Sequence, residues 1–175
     1  MTAVLASDCV GLWRRTLLRD ADGSCDTGTD VTWLQGISAY VDSRGFAGTL
    51  GQSGDVFQWH RSVDLQPPGP HPDAGSMRWH DGILVETGVH ADYVEHWTRD
   101  GAAVTPCGAL FLNAPDGEAG LLMRVGALSG WAGGGDVAID AVDGPRWNAL
   151  VITDEHVWAN GVRWTVELCE GNVNP

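Results

Sequence analysis

Six Asp-Gly or Asn-Gly dipeptides punctuate this chain, at Asp22-Gly23, Asp81-Gly82, Asp100-Gly101, Asp116-Gly117, Asp143-Gly144 and Asn160-Gly161. Such pairs tolerate positive φ and favour the primed turns whose twist matches that of antiparallel strands. Between them lie runs rich in Val, Ile, Thr, Trp and Tyr, which fit a pleated, half-buried surface. The pattern predicts strands near 9–19, 29–42, 45–51, 54–65, 75–80, 83–89, 91–99, 102–113, 119–130, 136–142, 147–153, 155–159 and 162–169, some of them halves of one bent strand. No window carries the periodicity of a long amphipathic helix. The expected fold is therefore all-β with minimal helix. It is a single antiparallel up-and-down barrel of about ten or more strands, occupying residues 1–175 as one domain.

Composition narrows the function classes. With 175 residues, nine Trp and 43% apolar residues, the chain can bury a full core. The net charge is −13 and no basic stripe is present, which argues against a nucleic-acid partner and against an anionic membrane surface. No apolar run reaches the roughly 18 residues of a membrane-spanning helix. All ten basic side chains are Arg, so no lysine exists to form a Schiff base, and lysine-dependent PLP or aldolase chemistry is excluded. The four cysteines, Cys9, Cys25, Cys107 and Cys169, lie far apart without a Cys-x-x-Cys pair, which disfavours a structural zinc site. The first ten residues include Asp8 and no basic residue, unlike a secretory signal, so reduced thiols in a cytoplasmic setting are expected. A barrel whose last strand meets its first can bring Cys9 and Cys169 together, and a disulfide there is possible but not needed.

Turn register assigns faces. A two-residue loop at Asp81-Gly82 pairs His80 with Ile83, Trp79 with Leu84 and Met77 with Glu86, so Met77, Trp79, Leu84 and Glu86 share a face. A hairpin at Asp100-Gly101 likewise groups Tyr93, Glu95, Trp97 and Val104. One at Asn160-Gly161 groups Val157, Ala159, Val162 and Trp164. Alternation along 57–65 puts Phe57, Trp59, Arg61, Val63 and Leu65 on one side, and along 31–35 it groups Val31, Trp33 and Gln35. The expected lumen is aromatic, with Gln35, Arg61, Glu86, Tyr93 and Glu95 as its polar groups. Gln66–Asp73, with four prolines, reads as a rigid loop, and Gly130–Gly135 as a plain glycine-rich connection.

Several motifs occur in a recognisable order. Trp33-Leu34 is followed by Tyr40, Arg44-Gly45, Trp79-His80-Asp81, Glu86-Thr87-Gly88, Glu95-x-Trp97 and Asn160-Gly161-x-x-Trp164, and Gly11-Leu12-Trp13 upstream matches the Gly-x-Trp signature of lipocalin-like proteins. The series, over roughly residues 30–168, resembles a lipocalin-like, calycin-type β-barrel family. That family includes a fungal casein-kinase-interacting protein and small uncharacterised bacterial relatives. The resemblance implies a calycin-type barrel without an established reaction. Glu86, Glu95 and Trp97 fall on its motif positions, whereas Arg61 and His96 lie outside them. The kinase partnership does not carry over to this shorter chain. The Gly-x-Trp resemblance also implies that Trp13 is buried at one barrel end beneath an Arg of the last strand, for which Arg163 is the candidate.

Three function classes follow. The leading one is a barrel that binds a small apolar or aromatic molecule, with Trp33, Trp59, Trp79 and Trp97 as walls. Gln35, Arg61, Glu86, Tyr93 and Glu95 would orient the ligand. The second is a cofactor-independent acid–base enzyme, an isomerase, cyclase or lyase, with Glu95 or Glu86 as base and Arg61 stabilising an oxyanion. The third is an acidic protein-interaction module whose outer face carries His60 and His80 and whose protein partner is unknown. Buried carboxylates can equally be scaffold, held by Arg61 or Tyr93. No metal or cofactor is expected: His60, His80 and His96 fall on outward positions, and no Gly-x-Ser-x-Gly marks a nucleophile.

Overall fold

The computed structural model describes residues 2–28 and 30–174. The first sheet comprises β1 (Gly11–Arg19), β2 (Cys25–Asp26), β3 (Thr32–Gln35), β4 (Ala39–Asp42), β5 (Phe46–Ser53), β6 (Val56–Asp64), β7 (Ala74–His80), β8 (Ile83–Gly88) and β9 (Val94–Arg99). Strand β9 pairs back onto β1, so β1 and β3 to β9 close an antiparallel barrel in chain order, with β2 hanging on the far end of β1. The second sheet comprises β10 (Cys107–Asn113), β11 (Ala119–Val125), β12 (Leu128–Gly133), β13 (Asp136–Ala141), β14 (Val151–Ile152), β15 (His156–Ala159) and β16 (Val162–Gly171). Its order is β13-β12-β11-β10-β16-β15-β14. Among the described residues helix is confined to a 3-10 turn at Ala6–Cys9 and the one-turn α1 (Pro145–Asn148).

The all-β closed barrel read from the sequence is present, with a curled second sheet beside it. Two of the expected hairpins form as their dipeptides require. Asp81 and Gly82 sit at φ 49° and 80°, Asn160 and Gly161 at 51° and 76°, and His80 pairs with Ile83 while Ala159 pairs with Val162. The Asp100-Gly101 hairpin does not form. Closure leaves no free edge on β9, since its far side is occupied by β1. The Asp100 amide donates to the Leu12 carbonyl, and the chain then leaves the barrel to start β10 at Cys107. Val104 accordingly packs between the two sheets instead of joining Tyr93 in the lumen. The Gly130–Gly135 stretch is also more ordered than expected: it completes β12 and makes a tight turn at Gly134-Gly135, with Gly133 paired to Asp136.

A bulge redirects β6. Ala47 pairs with Val63 but Gly48 pairs with Arg61, leaving Ser62 as the extra residue. The face therefore switches: Phe57 and Trp59 enter the lumen core, whereas Val63 turns outward onto the second sheet and Leu65 is exposed. Strict alternation cannot foresee such a switch.

Three apolar clusters hold the molecule. The lumen contains Trp13, Trp33, Phe57, Trp59, Leu84 and Trp97. Leu34, Val41, Ala47 and Val63 on the barrel's outer face meet Leu121, Met123 and Val125 of β11. Leu110, Leu122, Trp131 and Trp164 fill the curl of the second sheet, with the two indoles edge-on at 5.5 Å. Gly130 marks how closely the two sheets approach: a Cβ there would lie 2.7 Å from Val41 Cγ2 and 2.8 Å from Met123 Cγ.

One end of the barrel is plugged. Trp13 is fully buried, stacks on Trp33 at 5.8 Å and donates from Nε1 to the Cys9 carbonyl at 2.7 Å. Arg99 lies 5.2 Å over the Trp13 ring and donates to the Asp8 carbonyl at 2.8 Å. The expected Arg163 does not fill this role; it is exposed and lies 5.9 Å over Trp158 in the second sheet. The barrel is closed by β9 and not by the last strand of the chain, so the arginine comes from β9. For the same reason Cys9 and Cys169 are not neighbours: all four cysteines are free, with Cys9 in the plug and Cys169 exposed on β16.

Candidate functional site

The opposite end of the barrel is open. It holds a cavity of about 260 Å³ with Trp33, Trp59, Trp97 and Phe46 among its walls. Trp33 meets Trp59 and Trp97 edge-on, at 5.6 and 5.7 Å, so the indoles form a corner. Charged groups line it too: Arg15, Asp42, Glu86 and Glu95 from strands, Arg44 from the β4–β5 turn and Asp73 from the proline-rich loop.

Glu86 and Glu95 face each other directly across β8 and β9, which puts both carboxyls on the lumen side. Their surroundings differ. Glu95 accepts from Arg15 of β1 and, at 3.3 Å, from Arg44 in the β4–β5 turn. Arg44 is gripped in turn by Asp42, through Nε at 2.9 Å and Nη2 at 2.8 Å, and lies over the rings of Phe46 and Trp97. Among the described residues Glu86, 3% exposed, accepts only from neutral donors: Tyr93 Oη at 2.8 Å and Trp97 Nε1 at 3.1 Å. Burial, and next the charge of Glu95, push the Glu86 carboxyl up to about 8. Glu86 thus holds a proton near neutrality. Burial and the adjoining Glu86 also push the Tyr93 hydroxyl well up. Tyr40, fully buried in the lumen, has a hydroxyl without a hydrogen-bond partner among the described residues, and burial raises it too.

Most of the expected site residues converge here: Trp33, Trp59, Arg61, Glu86, Tyr93, Glu95 and Trp97 all line the cavity. Arg61 has a different role from the one expected. It sits at the rim, 3.6 Å over Phe46, and pairs with Asp73 at 2.7 Å and Asp64 at 3.1 Å, not with either glutamate. The bulge at Ser62 and the proximity of Asp73, the last residue of the proline-rich loop, explain this. Gln35 and Trp79 do not line the cavity. Gln35 accepts from Trp33 Nε1 and donates to the carbonyls of Gly36, Ser38 and Ala39, which is a buried structural role. Trp79 is half-buried 6.1 Å from Trp13, at the plugged end.

Arg15, Asp42, Arg44, Phe46 and Asp73 belong to the cavity and were not expected there. Two of them carried a signal. Arg15 follows Gly11 and Trp13 at period two, and Asp42 follows Tyr40. Arg44 and Asp73 come from a turn and a loop, where no periodicity applies.

His60 and His80 are exposed and His96 is half-buried on the outer face, and among the described residues no cluster of His, Cys, Asp and Glu is arranged to hold a metal ion. Among the described residues no helix is long and apolar enough to cross a membrane. Comparison of the chain with family models, curated proteins and solved structures returned no match.

Proposed function

We propose that the open end of the barrel binds a small molecule with an aromatic or apolar body. The observation that carries this reading is the cavity of about 260 Å³ walled by Trp33, Trp59, Trp97 and Phe46 and rimmed by polar groups. Its size lies near the lower end of the ~300–1,000 Å³ typical of small-molecule sites, which suits a ligand of one or two rings. Its polar groups are many, but the three guanidiniums are paired to carboxylates, so the apolar walls supply affinity and the remaining polar groups fix orientation. The lipocalin-like resemblance supports the same reading. Four free thiols fit a reducing compartment such as the cytoplasm.

The test uses tryptophan emission. A panel of one- and two-ring compounds is titrated into the wild type and Trp59→Ala. Saturable quenching in the wild type that weakens at least tenfold in the variant supports the proposal. An unchanged emission across the panel at millimolar concentration overturns it.

An acid–base reaction is the second reading, and the raised Glu86 carboxyl beside a solvent-connected cavity favours it. In this reading Glu86 moves the proton, because Glu95 is pinned by two guanidiniums. A turnover that survives Glu86→Gln would refute it.

A further inference from the structure

We infer that the ligand of this cavity is an aromatic monocation, a protonated amine on a one- or two-ring body, with its ammonium seated on Glu86. The inference rests on the cavity being a ligand site and assigns the class of ligand it takes.

Charge balance carries the argument. The guanidiniums of the cavity all face carboxylates: Arg15 meets Glu95, Arg44 meets Asp42 and Glu95, and Arg61 meets Asp64 and Asp73. Anionic ligands would have to compete with those carboxylates for every one of them. Glu86 is the opposite case. Of the three deeply buried carboxyls of the cavity, Asp42, Glu86 and Glu95, it is the one that among the described residues has no ion-pair partner. Tyr93 and Trp97 give it two neutral hydrogen bonds, which orient the carboxyl without neutralising it. A buried carboxylate without a counter-charge is unfavourable, so the group either takes a proton or meets a cation. An ammonium in the cavity supplies that cation.

The walls suit the same ligand. Indole faces attract cations, and the protein already lays its own Arg44 over Phe46 and Trp97 and Arg61 over Phe46. Trp33 and Trp59 line the same cavity, and among the described residues no arginine lies over either ring.

Binding of the cation displaces the proton that Glu86 otherwise carries, and that proton passes to buffer. The groups that face Glu86 and set this exchange are Glu95 and Tyr93 on the β9 side, Asp73 on the loop before β7, and Arg44 on the β4–β5 turn. A cation beside Glu86 opposes the raising effects of burial and Glu95.

Three probes of similar shape decide the matter: 2-phenylethylamine, its neutral isostere 2-phenylethanol, and the anion 3-phenylpropionate. Each is titrated by calorimetry at pH 6.5, in buffers of different ionisation enthalpy, with tryptophan emission as the second readout. The expected result is at least tenfold tighter binding of the amine than of either other probe, with release of about one proton per amine bound. Glu86→Gln should reduce the preference to less than threefold. Equal or tighter binding of the alcohol or the anion overturns the cation assignment while leaving the cavity a binding site. A preference that persists in Glu86→Gln overturns the seat on Glu86. No binding of any probe at millimolar concentration overturns both this inference and the ligand-binding reading. If Glu86→Gln does not fold, the isostere ratio and proton release of the wild type still decide the cation assignment.

Discussion

Glu95→Gln should be among the most destabilising single-atom changes in this protein. Glu95 is the counter-ion of Arg15, and the two side chains are 6% and 7% exposed. The substitution keeps the shape and an acceptor oxygen but removes the charge, leaving the Arg15 guanidinium inside the barrel without its carboxylate. Breaking a buried pair by removing one partner costs about 3–5 kcal/mol, because the stranded charge remains desolvated. Arg44 keeps Asp42 as its own partner, so it adds little to the loss. A chain of this size converts such a change into a fall in Tm of roughly 6–20 °C. The assay is urea unfolding followed by tryptophan emission, with the slope m checked for constancy. Arg15→Met in the Glu95→Gln background should recover part of the loss, since the buried guanidinium is then gone. A Glu95→Gln loss below about 1 kcal/mol, or a double variant no more stable than the single, would refute the view that this pair is a desolvated ion pair.

Two other outcomes follow from the same contacts. The folded-state pKa of Glu86 is raised from 4.5 to about 8, so between those values the folded protein binds more protons than the unfolded chain. Stability should fall as pH rises through that window, by up to ~1.4 kcal/mol per unit, and Glu86→Gln should flatten the profile measured by urea titration at a series of pH values. Trp13→Ala should lose about 3–5 kcal/mol as a fully buried indole, whereas Arg163→Ala should stay within about 0.5 kcal/mol; parallel thermal melts separate a Trp13 held by Arg99 from one held by Arg163.

What the sequence disclosed divides along physical lines. Local rules worked where local chemistry decides the geometry. Asp81-Gly82 and Asn160-Gly161 adopt the positive φ they favour, and the first of these fixed the register that places Glu86 in the lumen. Glu95 and Trp97 were assigned to the lumen from a hairpin at Asp100-Gly101 that does not form. The assignment survives only because period-two alternation on β9 is independent of that turn. Non-local facts were not legible. Closure of β9 onto β1 determined that Arg99, not Arg163, covers Trp13, and no turn signal reports which strand closes a barrel. The bulge at Ser62 altered the face of Val63, and the partners of Arg61 come from its own strand end and from a loop 12 residues further on. The site shares this division: its aromatic walls were readable from alternation, while its charge pairing depends on turns and loops that meet only in three dimensions.

The most direct measurement is a titration of the protein with 2-phenylethylamine, observed through the indole N–H signals of its nine tryptophans by two-dimensional NMR. The indole of Trp97 donates to Glu86, and those of Trp33 and Trp59 form the corner of the cavity. Trp131, Trp147, Trp158 and Trp164 belong to the second sheet and its helix. The predicted result is saturable shifts of Trp33, Trp59 and Trp97, with the second group unmoved. Shifts confined to the second group, or none at millimolar ligand, would contradict the placement of a binding site at the open end of the barrel.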